Sequence, residues 1–218
     1  MGAGGEGCER KGGLIMAKGI VLEIADHSRL NAGEVEAWYR SERLPQRAAT
    51  AGVLTAERFV SIENALVSVA VFDLDDIAVA KSAAFHPAAS AGAQRIAAAS
   101  DTIMTFEGTQ TLPGSALSPK NAGALLVNGM SAAAEGEADF NRWYDEEHIP
   151  SLSAVPGCII ARRFVTTNGC AQKYLALYHL ESPEVVKTAV WAKAVETPWT
   201  SKIRPFMRDR LRIVCRAA

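Results

Sequence analysis

The sequence predicts an α+β protein made of two βαββαβ halves that share one core. Three observations lead there. The run Trp38–Pro45 (WYRSERLP) returns as Trp143–Pro150 (WYDEEHIP), 105 residues later. The likeness extends without a gap over 36–61 against 141–166, where Trp38, Tyr39, Glu42, Pro45, Ala49, Gly52, Ala56, Arg58, Phe59 and Val60 all recur. The order of strand-like and helix-like segments around each copy is also the same. A repeat this long is no solenoid unit, and 218 residues suffice for two halves of domain size.

The elements follow in order. Residues 18–24 (KGIVLEI) form a short apolar run that reads as a buried strand. A helix starts at or beside Asn31, carries Val35, Trp38 and Tyr39, nears its end at Pro45 and exits at Gly52. Residues 53–62 and 66–74 are β-branched, apolar and separated by a turn-like Glu63-Asn64, so they read as two strands. A second helical stretch begins near Asp76 and breaks at His86-Pro87, because proline lacks an amide donor and restricts the residue before it. Residues 101–107 supply a fourth strand, and the Gly/Pro/Ser/Thr-rich 108–121 reads as a linker.

The second half repeats the plan. It has a strand at 122–129, a helix at 137–149, strands at 158–167 and 172–180, a split helix over 183–206 and a strand at 207–215. Within the split helix, Thr197 suits an N-cap and Pro198 the first helical position. The expected boundaries are a flexible tail at 1–16, with Met16 a candidate natural start, a first half at 17–107, the linker at 108–121 and a second half at 122–218. Each half has the ferredoxin-like order, in which both helices cover one sheet face. Two such halves can cover each other's bare faces, so that two four-stranded sheets pack or close into a barrel. Each Å² of apolar surface so hidden contributes about 25 cal/mol.

Composition removes several function classes. The net charge is −1, so no long-range field draws in nucleic acid or an anionic membrane. No apolar run approaches the roughly 20 residues of a membrane span. The four cysteines (Cys8, Cys158, Cys170, Cys215) are scattered without a CxxC, which argues against zinc and redox motifs and fits free thiols in a reducing cytoplasm. Nucleotide-binding loops, nucleophile elbows and HExxH are absent from the sequence. No metal and no cofactor is expected.

The repeat serves as an internal control. Residues kept in both copies suit the shared fold, and a Glu on the helix could pair with the Arg of the next strand. Chemically distinct residues suit a site. Arg40, Ser41 and Arg43 become Asp145, Glu146 and His148, and His148 is the single histidine of either motif. At α-helical spacing His148 shares a face with Tyr144, and Asp145 lies on an adjoining part of it. An imidazole titrates near working pH, a carboxylate can orient it and a phenol can donate to a developing oxyanion. The competing reading is that His148 only caps its helix.

In the strand YLALYHLE, alternation puts Tyr178 on one face and His179 on the other, so one of them lines the interior. Their first-half counterparts are Phe72 and Asp73. His27 and His86 are expected to be exposed. Arg208, Arg210 and Arg212 share one face of the last strand. They could hold a carboxylate, although such a stripe is more often a solvated face.

The stretches FNRWYDEEHIPSLSAVPGCIIARRF and ETPWTSKIRPFMRDRLR resemble the EthD-like members of the dimeric α+β barrel superfamily, more fully in the second half than in the first. The resemblance implies an intrachain dimeric α+β barrel, since two chains usually build what this tandem sequence holds in one. It also implies a small apolar or aromatic ligand and marks His148 as a functional position. The superfamily includes cofactor-free monooxygenases, cyclases, isomerases, dehydratases, decarboxylases and haem enzymes, so fold does not fix chemistry. The expected activity is cofactor-independent acid/base catalysis in a barrel pocket of an isomerase, dehydratase, decarboxylase or cyclase kind. In it His148 is acid or base, Tyr144 donor and Asp145 orienter, with Trp143, Arg163, Tyr178 and His179 against the substrate. The alternatives are a non-catalytic small-ligand or accessory protein and a haem protein. A further homodimer is compatible with the sequence.

Overall fold

The computed structural model describes residues 16–218, so all of the expected tail except Met16 lies outside the described residues. The first half holds β1 (Gly19–Asp26), α1 (Ala32–Trp38), α2 (Leu44–Ala48), β2 (Val53–Ser61), β3 (Val67–Leu74), α3 (Ala91–Ala98) and β4 (Asp101–Leu112). The second holds β5 (Ala124–Ala132), α4 (Glu137–Trp143), α5 (Ile149–Ser153), β6 (Cys158–Thr166), β7 (Tyr174–Leu180), α6 (Ala189–Val195), α7 (Pro198–Ile203) and β8 (Met207–Ala217). The eight strands form one closed antiparallel barrel in the order β1-β3-β2-β8-β5-β7-β6-β4.

Two seams join the halves. β2 pairs with β8 over Phe59–Ser61, and β4 pairs with β6 from Gly108 to Leu112. The second seam corrects one boundary. β4 runs on to Leu112, into the segment expected as linker, because those backbone groups close the barrel against β6. Closure leaves no long free edge in need of protection.

Side chains alternate between the lumen and the helix-covered outer face, which gives three cores. All eight strands send apolar groups inward, among them Leu22, Val71, Phe106, Val127, Phe164 and Leu177. The lumen is therefore a packed core, and the expectation of a ligand pocket inside it is corrected: Phe, Leu and Ile side chains fill the space. Outside, Val35, Tyr39 and Phe85 pack on the first half's sheet, and Phe140, Trp143, Tyr144 and Trp191 on the second's.

The shared residues explain the shared geometry. Gly52 and Gly157 take φ of 88° and 87°, and a Cβ at either would press on Val79 or Val185. This left-handed backbone region strongly favours glycine. Arg58 and Arg163 each tie a helix to the sheet, although through other partners than the repeated Glu. Arg58 bonds Glu36, while Arg163 bonds Asp145 at 2.6 Å and also Asn141, which stands at Glu36's place in the repeat. Glu42 and Glu147 instead accept hydrogen bonds from the N-cap hydroxyls of α3 and α7, Ser90 and Thr197, at 2.9 and 2.5 Å. Thr197 also accepts from the Thr200 N–H at 3.0 Å, the capping role its sequence position suggests.

Candidate functional site

The second motif copy is not a plain α-helix. Pro150 has no N–H and its ring crowds the carbonyl four residues earlier. The chain relieves this by widening one turn: Tyr144–His148 is a π-turn, closed by the Ile149 N–H on the Tyr144 carbonyl. Pro45 follows an equivalent π-turn over Tyr39–Arg43. In a π-turn the residue five positions on, not four, comes into line. His148 therefore stacks on Trp143, with ring centroids 4.1 Å apart at 30°. Tyr144 meets it only edge-on, at 5.2 Å.

His148 and Trp143 line a cavity of about 350 Å³ between the outer face of β5 and β8 and the helices α4, α6 and α7. Its apolar wall includes Met130, Leu152 and Trp191. Its polar positions are Asn128, Thr200, Arg204, Arg210 and Arg212, and no Asp or Glu lines it. Thr200 accepts a hydrogen bond from the Trp143 indole at 3.1 Å, which fixes the platform under the imidazole. His148 is 6% exposed and its Nδ1 has no hydrogen-bond partner. Desolvation pushes its pKa down to about 3, so the imidazole is neutral at ordinary pH.

The other residues singled out from the sequence fall elsewhere. Tyr144 is fully buried, aims its hydroxyl at the Met130 sulfur (3.7 Å) and does not line the cavity; burial raises its pKa to about 12. Asp145 reaches Arg163 rather than His148. Arg163 lies over the Tyr144 and Tyr174 rings, at 4.6 and 4.9 Å, as part of the helix–sheet anchor. Tyr178 packs edge-on against Trp191 beneath the helices. His179 faces the lumen, fully buried, with neither ring nitrogen hydrogen-bonded. Burial and the Arg162 charge hold its pKa well below the usual value. His86 is exposed as expected, but His27 is buried. The Ser100 hydroxyl donates to the Ile96 carbonyl, so His27 Nδ1–H donates to Ser100 (2.6 Å) and Nε2 accepts from Tyr39 (3.3 Å).

Asn128, Arg204, Arg210 and Arg212 belong to the cavity although only the arginine stripe gave a hint of it in the sequence. Asn128 sits opposite Arg212 in the β5–β8 ladder. Beyond it the ladder bulges, with Asp209 and Arg210 set against the single residue Met130 and Asp209 at φ 50°. Such an extra residue bends a strand and re-aims its side chains, and bulges recur beside active sites.

The first half carries a matching cavity of about 260 Å³. There Glu23 stands where the second half has Asn128, and Arg43 where it has His148. Those two side chains form an ion pair at 2.5 and 2.6 Å across the cavity wall. The mismatch of the two motif copies is thus a difference between a cavity bridged from within and one left open.

No protein-family model matches the chain, and no curated protein sequence matches it. Solved structures do. A mutant chlorite dismutase from Candidatus Nitrospira defluvii superposes with a TM-score of 0.59 at 11% identity, over 93% of this chain and 92% of that one. An anthrone oxidase-like protein gives 0.60 at 8%, over 93% and 92%. A heme-binding protein from Thermus thermophilus gives 0.58 at 7%, over 93% and 91%. The likeness is one of fold. It spans both halves and the whole eight-stranded barrel, and at these identities it carries no site residue across. Among the described residues no group of His, Cys, Asp and Glu could hold a metal ion, Cys158, Cys170 and Cys215 are free, and no helix is long and apolar enough to cross a membrane.

Proposed function

We propose that the chain binds a small planar, largely apolar molecule in the second-half cavity and catalyses a proton transfer on it, with His148 as the acid/base group. The observation that carries this is His148 itself: a buried, neutral imidazole, its Nδ1 without a hydrogen-bond partner, in the lining of a cavity that holds no acid. Buried polar atoms are mostly satisfied, and a catalytic role is one of the explanations for an exception. Apolar walls with a few convergent polar groups are the usual make-up of small-molecule sites. The same reading takes the architecture as two fused ferredoxin-like halves that have diverged, so that one cavity is closed by an ion pair and the other works.

In such a reaction the neutral imidazole accepts a proton from an acidic C–H or O–H of the substrate. The electron pair left behind moves onto a substrate oxygen, where Arg210 and Arg212 stabilise it. The imidazolium then returns the proton, to another carbon in an isomerisation or to a departing hydroxyl, which leaves as water, in a dehydration. Arg163 and Tyr144 hold the helix that carries His148, and Trp143 holds the ring.

The likeness to the heme-binding Thermus protein raises haem as a second reading. Part of the donor chemistry suits it: a free imidazole nitrogen and guanidiniums for propionates. The space does not. A cavity of about 350 Å³ lies at the bottom of the ~300–1,000 Å³ range of ligand sites, and a tetrapyrrole with its propionates needs considerably more.

The test uses β-tetralone as a generic proton-transfer probe in heavy water, followed by proton NMR. The protein is expected to exchange the activated methylene faster than buffer, and His148→Gln to lose about 10²–10⁴ of that rate. Tight binding without exchange would make the chain a binding or accessory protein. A wild-type rate retained by His148→Gln overturns the assignment, and a Soret band after haem addition would restore the haem reading.

A further inference from the structure

The two cavities share a plan, and charge separates them. In the first half the chain's own carboxylate, Glu23, sits at the β1 position and is neutralised by Arg43 at 2.5 Å, with Arg47 at 3.7 Å. In the second half that carboxylate is gone, since Asn128 replaces it, while guanidiniums remain. Arg204 is held by Glu196 at 2.6 and 2.8 Å. Arg210 and Arg212 form no ion pair with any described residue, and no acid lines the cavity. His148 is held neutral by burial, so it adds no cation of its own to the cavity.

We infer that the second-half cavity selects an anion: a planar aromatic acid whose carboxylate lies against Arg210, Arg212 and Asn128 and whose ring lies by Trp143 and Trp191. The inference rests on the reading of this cavity as the small-molecule site and adds the class of ligand. The register brings the Asn128 amide and the Arg212 guanidinium side by side on neighbouring strands, and the bulge adds Arg210 to the same wall. A guanidinium fork matches a carboxylate with two parallel hydrogen bonds, and an amide N–H can add a third. The apolar wall and the two indoles take the ring. In the first half Glu23 already engages the Arg43 guanidinium from within, so that cation is not free for an outside acid. Anion entry also raises the pKa of His148, because a neighbouring negative charge favours the imidazolium.

Calorimetric titration with three probes of one shape tests this: β-naphthoate, β-naphthamide and β-naphthylmethylammonium. The carboxylate is expected to bind at least about tenfold more tightly than the amide, with the advantage shrinking as salt rises. Asn128→Glu, which installs the first-half residue, is expected to remove that advantage by weakening carboxylate binding far more than amide binding, and so is the pair Arg210→Met and Arg212→Met. Retained amide binding shows that each variant is folded. Equal affinity for carboxylate and amide, or preference for the ammonium, overturns the anion inference and leaves the cavity as a small-molecule site. Failure of all three probes overturns the reading of the cavity itself.

Discussion

His148 lies on the face of Trp143 while its own Nδ1 meets no partner, so one ring is both packed and chemically unspent. This has a pH signature. The unfolded chain takes up a proton at this side chain near pH 6.5, whereas the folded chain resists it down to about 3. Stability is therefore complete above about pH 6.5 and falls as the pH drops towards 3. In His148→Phe, which keeps the stack, the stability difference between pH 7 and pH 4.5 is expected to narrow by roughly 2 kcal/mol. Urea midpoints at the two pH values read it. An unaltered difference would mean the imidazole is hydrated in solution.

Tyr144→Phe separates the cavity from the packing beneath it. The phenol contacts a thioether at 3.7 Å and no cavity space. The variant is expected to keep full probe binding and proton exchange and to change stability by less than about 1 kcal/mol. A loss of exchange comparable to that of His148→Gln would bring Tyr144 into the chemistry after all.

Arg162 and Asp73 bind each other at 2.7 Å inside the lumen, neither side chain exposed, and Ser118 and Thr55 complete the network. Removing one member strands the other charge. Arg162→Met is expected to cost about 3–5 kcal/mol, and Arg162→Met with Asp73→Leu clearly less than the sum of the singles. A double-mutant cycle in urea measures this, and additive losses would show that the pair is not coupled.

Glu57 lies at the edge of the same network, and burial, with the Asp73 charge, raises its carboxyl to about 7. The folded chain thus holds a proton there that the unfolded chain releases near pH 4.5. The contribution is favourable below about 4.5 and fades as pH rises to 7. Glu57→Gln, which mimics the protonated form, is expected to raise the melting temperature at pH 8 relative to the parent and leave it unchanged at pH 4. Melting curves at both values check it, and an equal shift at both would place the effect in packing.

The strands and their order were legible because alternation and turn residues are local signals: Val67–Leu74 and Tyr174–Leu180 begin and end within about two residues of expectation. The partner of His148 was not, because α-helical spacing points to Tyr144, and only the proline-widened turn selects Trp143. The lumen's filling was hidden for another reason. Period-two alternation shows that Tyr178 and His179 part company, but not which face meets the helices. Asn128 went unnoticed because its meaning is relational: it matters as the residue that replaces Glu23, and as the cross-strand neighbour of Arg212.

The lumen network also sets which strands can face one another across the barrel. Glu57 in β2 stands at the repeat position of Arg162 in β6, and Asp73 in β3 at that of His179 in β7. A barrel built from two first halves would bury Asp73 against a second copy of Glu57, acid on acid. One built from two second halves would set Arg162 against His179, with no carboxylate to receive it. The lumen charges thus match β2 and β3 to β6 and β7, and neither pair of strands to a copy of itself.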